Sequence, residues 1–336
     1  MTEIERLNPH IRDLVAQSRR PINPGAGKWA DELPILTLLH FGDPHRAEEE
    51  LRRLVAFMKD MQGLFEDAVC AGDMFRKNYL TGYEFWEECG CSPILTCIGN
   101  HDALNNDNYD WTDVVPQQEL YATVFEPFIE NWNVECTPGT TYYCKRYPNH
   151  KIDLIVLNTM LPKDEDAAQT EFLQKKLDRA FAEQVSVVIM LHDTSDKEQV
   201  VVPCRFSSLD HRPTGPCGEG LRRKWQEMVQ EFMDAGGDFI CYLAGHCHED
   251  FVCYDPDFPR QILFLAPTAS MEKGIRQGDC DRVEGEKSQD AFNFISFDRT
   301  CKLMKVIRVG ADRDRYLRHR GVLCYDYANC KILYED

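Results

Sequence analysis

The chain reads as an α/β protein with a buried, parallel sheet, and three observations predict this. Short apolar runs alternate with helical patterns from residue 34 to about residue 99. The same alternation returns between residues 151 and 246. Five of the apolar runs end in Asp, Asn or His, at the carboxyl ends where open α/β sheets gather their ligands. Strand–helix–strand alternation argues for βαβ units with parallel strands.

Taken in order, the first thirty or so residues end in RRPINPGAGKW and read as an N-terminal extension, 1–32. GAGK lacks the Ser or Thr of a phosphate loop, because Trp29 follows it and no strand precedes it. PILTLLHF (34–41) is a strand, followed by a helix with Leu51, Leu54, Val55 and Met58 on one face. DAVCAG (67–72) is a second strand, trailed by a helical stretch near Tyr79 to Glu88, and SPILTCIG (92–99) is a third. KIDLIVLNT (151–159), a helix over 168–182, VSVVIMLH (185–192), a helix over 219–234 and DFICYLAGH (238–246) repeat the rhythm. QILFLAP, FNFISF and KLMKVIRV then read as successive antiparallel strands, with a last pair around GVLCYDY and CKILY. The main domain is expected over 33–310, with 311–336 as a C-terminal strand pair packed on it. Residues 102–150 read as irregular apart from a helix near 117–130, and 193–218 as a long loop. Both leave the sheet beside polar strand ends, where they are placed to cover a substrate and set specificity.

With 38 basic and 56 acidic residues, a net charge of −18, the chain repels nucleic acid at long range and offers no polybasic handle to a membrane. No apolar stretch reads as a signal peptide or membrane span, so a cytoplasmic protein is expected. The fifteen cysteines, several of them in apolar runs (Cys70, Cys97, Cys241), then read as reduced thiols. Cys89 and Cys91 have no second pair at zinc-finger spacing.

The polar strand ends carry the chemistry. FGDPH supplies Asp43 and His45; AGDMF supplies Asp73; IGNHD supplies Asn100, His101 and Asp102; MLHD supplies His192; AGHCHED supplies His246 and His248. A lone D-x-H or G-D arises often by chance, whereas G-N-H-D and G-H-x-H after apolar runs are sharper. Imidazoles and carboxylates without thiolates suit Mn, Fe or Zn.

The ordered set D-x-H, G-D, G-N-H-D, H and G-H-x-H resembles the calcineurin-like metallophosphoesterase superfamily over roughly residues 35 to 250. The resemblance implies a four-layer α/β/β/α sandwich of two mixed β-sheets flanked by helices. It further implies two divalent or mixed-valence metal ions at the sheet ends. Asp43, His45 and His248 would hold one; Asn100, His192 and His246 would hold the other; Asp73 would bridge both. His101 would be the non-ligand catalytic histidine, with Asp102 orienting it. The flanks depart from the family: Pro44 fills the variable place of D-x-H, and MFRKN follows the second motif without an Asn directly after G-D.

Two metals would clamp an in-line displacement at phosphorus and supply a bridging hydroxide near neutral pH. His101 would protonate the leaving alkoxide. The expected substrate is a phosphate ester, with a small-molecule or nucleotide phosphodiester favoured. A DNA exonuclease, a protein phosphatase and a non-catalytic scaffold are the alternatives. Arg46, Arg76 and Arg205 are candidate phosphate contacts, with Lys77, Arg212, Tyr109 and Trp111 as further candidates at the rim.

Overall fold

The computed structural model describes residues 1–20, 33–45, 48–74, 94–103, 115–161, 166–193, 223–246, 248, 251–266, 269, 282–310 and 321–335. Among them, fourteen strands form two seven-stranded sheets. The first half of the chain gives β1 (Leu36–Phe41), β2 (Asp67–Cys70), β3 (Ile94–Thr96), β4 (Glu135–Cys136), β5 (Tyr143–Tyr147) and β6 (Ile152–Val156). β7 (Ser186–Met190), β8 (Phe239–Ala244), β9 (Phe251–Tyr254) and β10 (Ile262–Leu265) follow. The last four are β11 (Ala291–Asp298), β12 (Leu303–Gly310), β13 (Val322–Asp326) and β14 (Lys331–Glu335). One sheet runs β14-β13-β12-β11-β1-β2-β3 and the other β4-β5-β6-β7-β8-β10-β9.

Both sheets are mixed. β1, β2 and β3 are parallel, as are β6, β7, β8 and β10. The remaining pairings are antiparallel. β1 and β2, β6 and β7, and β7 and β8 are joined through helices as βαβ units, while β8 reaches β10 by way of β9.

Period-two alternation explains the layering. In β6 and β7, Leu154, Val156, Val188 and Met190 join a core that also holds Leu38, Ile295 and Val306 of the other sheet. Their neighbours Ile155, Val187 and Ile189 pack the opposite way, against Leu173, Leu177, Trp225 and Val229. Those four lie on the helices Asp166–Glu183 and Arg223–Asp234. On the first sheet's outer face, Phe57 of the helix Glu48–Asp60 meets the rings of Phe292 and Phe294 at 5.4 and 6.1 Å. Two β5 tyrosines tie the sheets together: Tyr143 Oη donates to Thr96 O at 2.9 Å and Tyr147 Oη to Asp67 Oδ2 at 2.7 Å. The layers are therefore helix, sheet, sheet, helix.

Three expectations need correction. The N-terminal segment is more than an extension: the helices Glu3–Leu7 and Ile11–Ser18 bury Ile4, Ile11 and Val15 in the core. Ser18 Oγ meets Ser296 Oγ at 2.8 Å, inside the fold. The stretch 102–150 holds short helices (Gln117–Leu120 and Ile129–Trp132, with a π-helical turn Tyr121–Phe125 between) and then β4 and β5. β5 hides in the sequence because Arg146 interrupts its apolar pattern; the charge is matched by Asp153, its cross-strand partner on β6, at 2.8 Å. QILFLAP does not join the antiparallel run: β10 pairs in parallel with β8 in the second sheet, beside an unanticipated β9. The helical stretch near 79–88 and the GAGK segment lie outside the described residues.

The nine described cysteines are free thiols, six of them buried. No helix among the described residues is long and apolar enough to cross a membrane.

Candidate metal centre

The polar strand ends of both sheets converge. After β1 come Asp43 and His45, after β2 Asp73, after β3 Asn100 to Asp102, after β7 His192, and after β8 His246 and His248. The loops are stitched to one another by backbone bonds, Asp43 N to Gly72 O (3.1 Å), His45 N to Asp73 O (2.9 Å) and Gly245 N to His192 O (3.0 Å). Five candidate ligands hold left-handed backbone: Asp43 (φ 50°), His45 (48°), Asp73 (55°), His246 (67°) and His248 (60°). Such conformations cost about 1–3 kcal/mol each in a non-glycine residue and persist only where the surroundings impose them. The glycines make room for the donors. A Cβ on Gly99 would lie 2.2 Å from Asp73 Oδ1, and one on Gly72 2.6 Å from His192 Nδ1.

Donor atoms face one another in two groups. His192 Nδ1 sits 2.6 Å from the Ala71 carbonyl, so that nitrogen carries a proton and Nε2 is the one turned toward the other donors. Nε2 lies 2.9 Å from Asn100 Oδ1 and 3.4 Å from Asp73 Oδ2. His246 Nδ1 is 2.9 Å from the same Asn100 oxygen and 3.3 Å from His192 Nε2. In the second group, His45 Nε2 and His248 Nε2 are 3.0 Å apart, and His248 Nε2 is 3.6 Å from Asp43 Oδ1. Donors each about 2.0–2.2 Å from one ion lie about 3.0–3.5 Å from each other. The spacings match the edges of coordination polyhedra. Asp43, His45 and His248, and likewise Asp43, Asp73 and His192, keep ligand atoms within 4.8 Å of one another.

Electrostatics agrees. Burial raises the Asp43 carboxyl well above its usual range, partly offset by His192. Burial would raise Asp73 too, but His192, His101 and His45 together hold it well below the carboxylate range. Burial would lower His192, yet Asp73 and Asp43 hold it up at about 10. Two carboxylates in a low-dielectric crevice thus demand positive charge, and a proton on His192 is the smallest that meets the demand. Cations held by this set of donors would meet it better, so the residues present fit a metal pair.

All seven expected ligands are brought together. His101 is half-buried beside them; its ring is edge-on to His45 at 4.6 Å and its Nε2 lies 4.0 Å from Asp73 Oδ2. Asp102 Oδ2 accepts from Asp73 N (2.9 Å) and Gly99 N (3.0 Å), anchoring two of the converging loops. Sequence reasoning passed over Asp193, the next residue in MLHD; it is buried, with Oδ1 3.8 Å from His246 Nε2. Arg46, Arg76, Lys77, Tyr109, Trp111, Arg205 and Arg212, with the loop from 194, lie outside the described residues.

Comparison with curated proteins gave no match. Among solved structures the chain resembles purple acid phosphatase PPD1 from yellow lupin (Lupinus luteus) seeds, at 13% identity and a TM-score of 0.50, over 84% of this chain and 52% of that one. The chain therefore spans about half the length of the lupin protein. It also resembles a predicted phosphoesterase of Streptococcus pneumoniae TIGR4, at 11% identity and a TM-score of 0.34, over 83% of this chain and 92% of that one. The lupin likeness supports the fold, two mixed sheets between helices. A family model described as calcineurin-like phosphoesterase matches residues 36–250, from β1 to just past His248. With more than half its length matched, through the strands that bear the converging donors, the chain belongs to the calcineurin-like phosphoesterase family.

Proposed function

We propose that the chain is a phosphoesterase dependent on two metal ions, with a small-molecule or nucleotide phosphodiester as its preferred substrate. The observation that carries the proposal is the convergence of Asn100 Oδ1, His192 Nε2 and His246 Nδ1, three donor atoms within 2.9–3.3 Å of one another. Asp43, His45 and His248 would hold one ion, Asn100, His192 and His246 the other, and Asp73 both. When bound, the ions supply an activated water and positive charge against the phosphoryl oxygens. The chain's own contribution is to fix that water's position through Asp73 and to exclude side reactions by burial. His101 reaches toward the same place from the half-exposed rim and delivers a proton to the departing oxygen. Asp102 holds the Asp73 and Gly99 loops in register for it. The catalytic unit is placed at 33–310, with the β13–β14 pair extending its first sheet.

The test is a hydrolysis screen over phosphomonoesters, phosphodiesters and nucleotides. The metal-stripped chain would be reloaded with Mn, Fe or Zn and its metal content measured in parallel. Turnover that requires close to two equivalents of metal and favours diesters is the expected result. A chain that binds metal and hydrolyses none of these esters would remove the enzymatic reading in favour of a scaffold.

A further inference from the structure

We infer that Asp193 is a positioning residue, fixing the tautomer and aim of His246 at the second ion while leaving the first untouched. This rests on the metal-centre reading above and deepens it. His246 turns Nδ1 into the site, 2.9 Å from Asn100 Oδ1 and 3.3 Å from His192 Nε2. Its other nitrogen, Nε2, faces outward toward Asp193 Oδ1 at 3.8 Å. Asp193 is fully buried, so its charge acts on that ring nitrogen with little screening by water. A carboxylate behind Nε2 favours the tautomer with the proton there. The lone pair is then left at Nδ1, where a cation needs it.

The neighbouring ligand is held on the same plan by a different device. His192 places Nδ1 against the Ala71 carbonyl at 2.6 Å, which leaves Nε2 for the ion. His246 cannot borrow such rigidity from its backbone, which stands in the left-handed region at φ 67° just past the end of β8. Its main-chain N–H is instead tied to Asp43, at 3.0 Å from both carboxylate oxygens. A half-turn of the ring would put Cδ2 where Nδ1 stands and carry Nε2 away from Asp193, and the buried charge of Asp193 opposes that turn. Because Asp193 adjoins His192 in the chain, one short segment supplies a ligand directly and the second ligand's hold.

The experiment uses the full chain, stripped by chelator and titrated with Zn²⁺ and with Mn²⁺ against a chromophoric competitor. In Asp193→Leu, one of the two equivalents should weaken by about 10–100-fold, the usual effect of losing such a partner, while the other stays near its wild-type affinity. Asp193→Asn keeps the shape but not the charge and should weaken the same equivalent comparably. A second measurement needs no variant: in the Zn-loaded wild type, nitrogen-15 NMR should find the His246 proton on Nε2, and a proton on Nδ1 would overturn the inference. Unchanged affinities in Asp193→Leu would overturn it too, as would wild-type affinity in Asp193→Asn or equal weakening of both equivalents in either variant. A wild-type chain that binds fewer than two ions would overturn the metal-centre reading and this inference with it.

Discussion

Adding one methyl group at Gly99 tests the site without touching any donor. A Cβ there would stand 2.2 Å from Asp73 Oδ1, 2.5 Å from Asp73 N and 2.8 Å from Asp73 Cγ. Ordinary contacts between such atoms are about 3.5 Å, so the carboxylate must retreat by more than about 1 Å. Metal–donor distances tolerate only about ±0.2 Å, and a misplacement of about 1 Å at a reacting centre costs on the order of 10²-fold in rate. Asp73 Oδ1 also accepts from His101 N at 2.7 Å, so the same shift disturbs the proton donor. Gly99→Ala should therefore lose bound metal and at least about 10²-fold in turnover. Gly321→Ala is the control, since a Cβ there meets nothing within 4 Å. Elemental analysis, hydrolysis of an activated diester and thermal unfolding would be measured on both. A folded Gly99→Ala protein with two equivalents of metal and near-wild-type turnover would refute the reasoning.

Asp73→Ala should empty or scramble the whole centre and abolish hydrolysis; elemental analysis that finds two full equivalents in the variant would take Asp73 out of the bridging role. His101→Ala should keep its metal yet lose roughly 10²–10⁴-fold in rate. That loss should shrink for nitrophenyl esters, whose leaving group needs no proton, and equal losses for phenyl and nitrophenyl esters would count against the general acid. His40 on β1 is fully buried, with neither ring nitrogen hydrogen-bonded among the described residues, and burial lowers it from 6.5 to about 3. Between those pH values the unfolded chain binds the extra proton, so stability falls as pH drops through that window, by roughly 3 kcal/mol at pH 4 for this group. His40→Leu should remove that dependence, and denaturant melts at pH 7 and pH 4 that show the same advantage at both would contradict it.

The convergence of the seven polar residues was legible because their types are costly to bury at the mouth of an apolar run unless something uses them. Asn100 and His101 side by side after Cys97 and Ile98 have few structural excuses. What escaped the sequence is whatever depends on partners far along the chain. β5 reads as loop until Asp153 is seen beside Arg146. The sheet that β10 joins is a matter of pairing with β8, which its own apolar pattern does not encode. Asp102 next to His101 suggests an orienting pair, but their spacing does not show that its oxygen also reaches back to Asp73 N and Gly99 N. Asp193 opens the stretch read as a long loop, and the residue it faces, His246, lies fifty-three positions later.

The donors come from both sheets: Asp43, Asp73 and Asn100 follow strands of one, His192, His246 and His248 strands of the other. The centre is therefore a seam, and its dimensions are those of the gap between two slabs. Sliding one slab over the other by an ångström would misalign every ligand at once, with no single side chain at fault. The β5 tyrosines that reach across to Thr96 and Asp67 act as dowels against that slide. A substitution at Tyr143, remote from the donors in sequence, would then loosen their alignment as well as the aromatic core that Tyr143 fills.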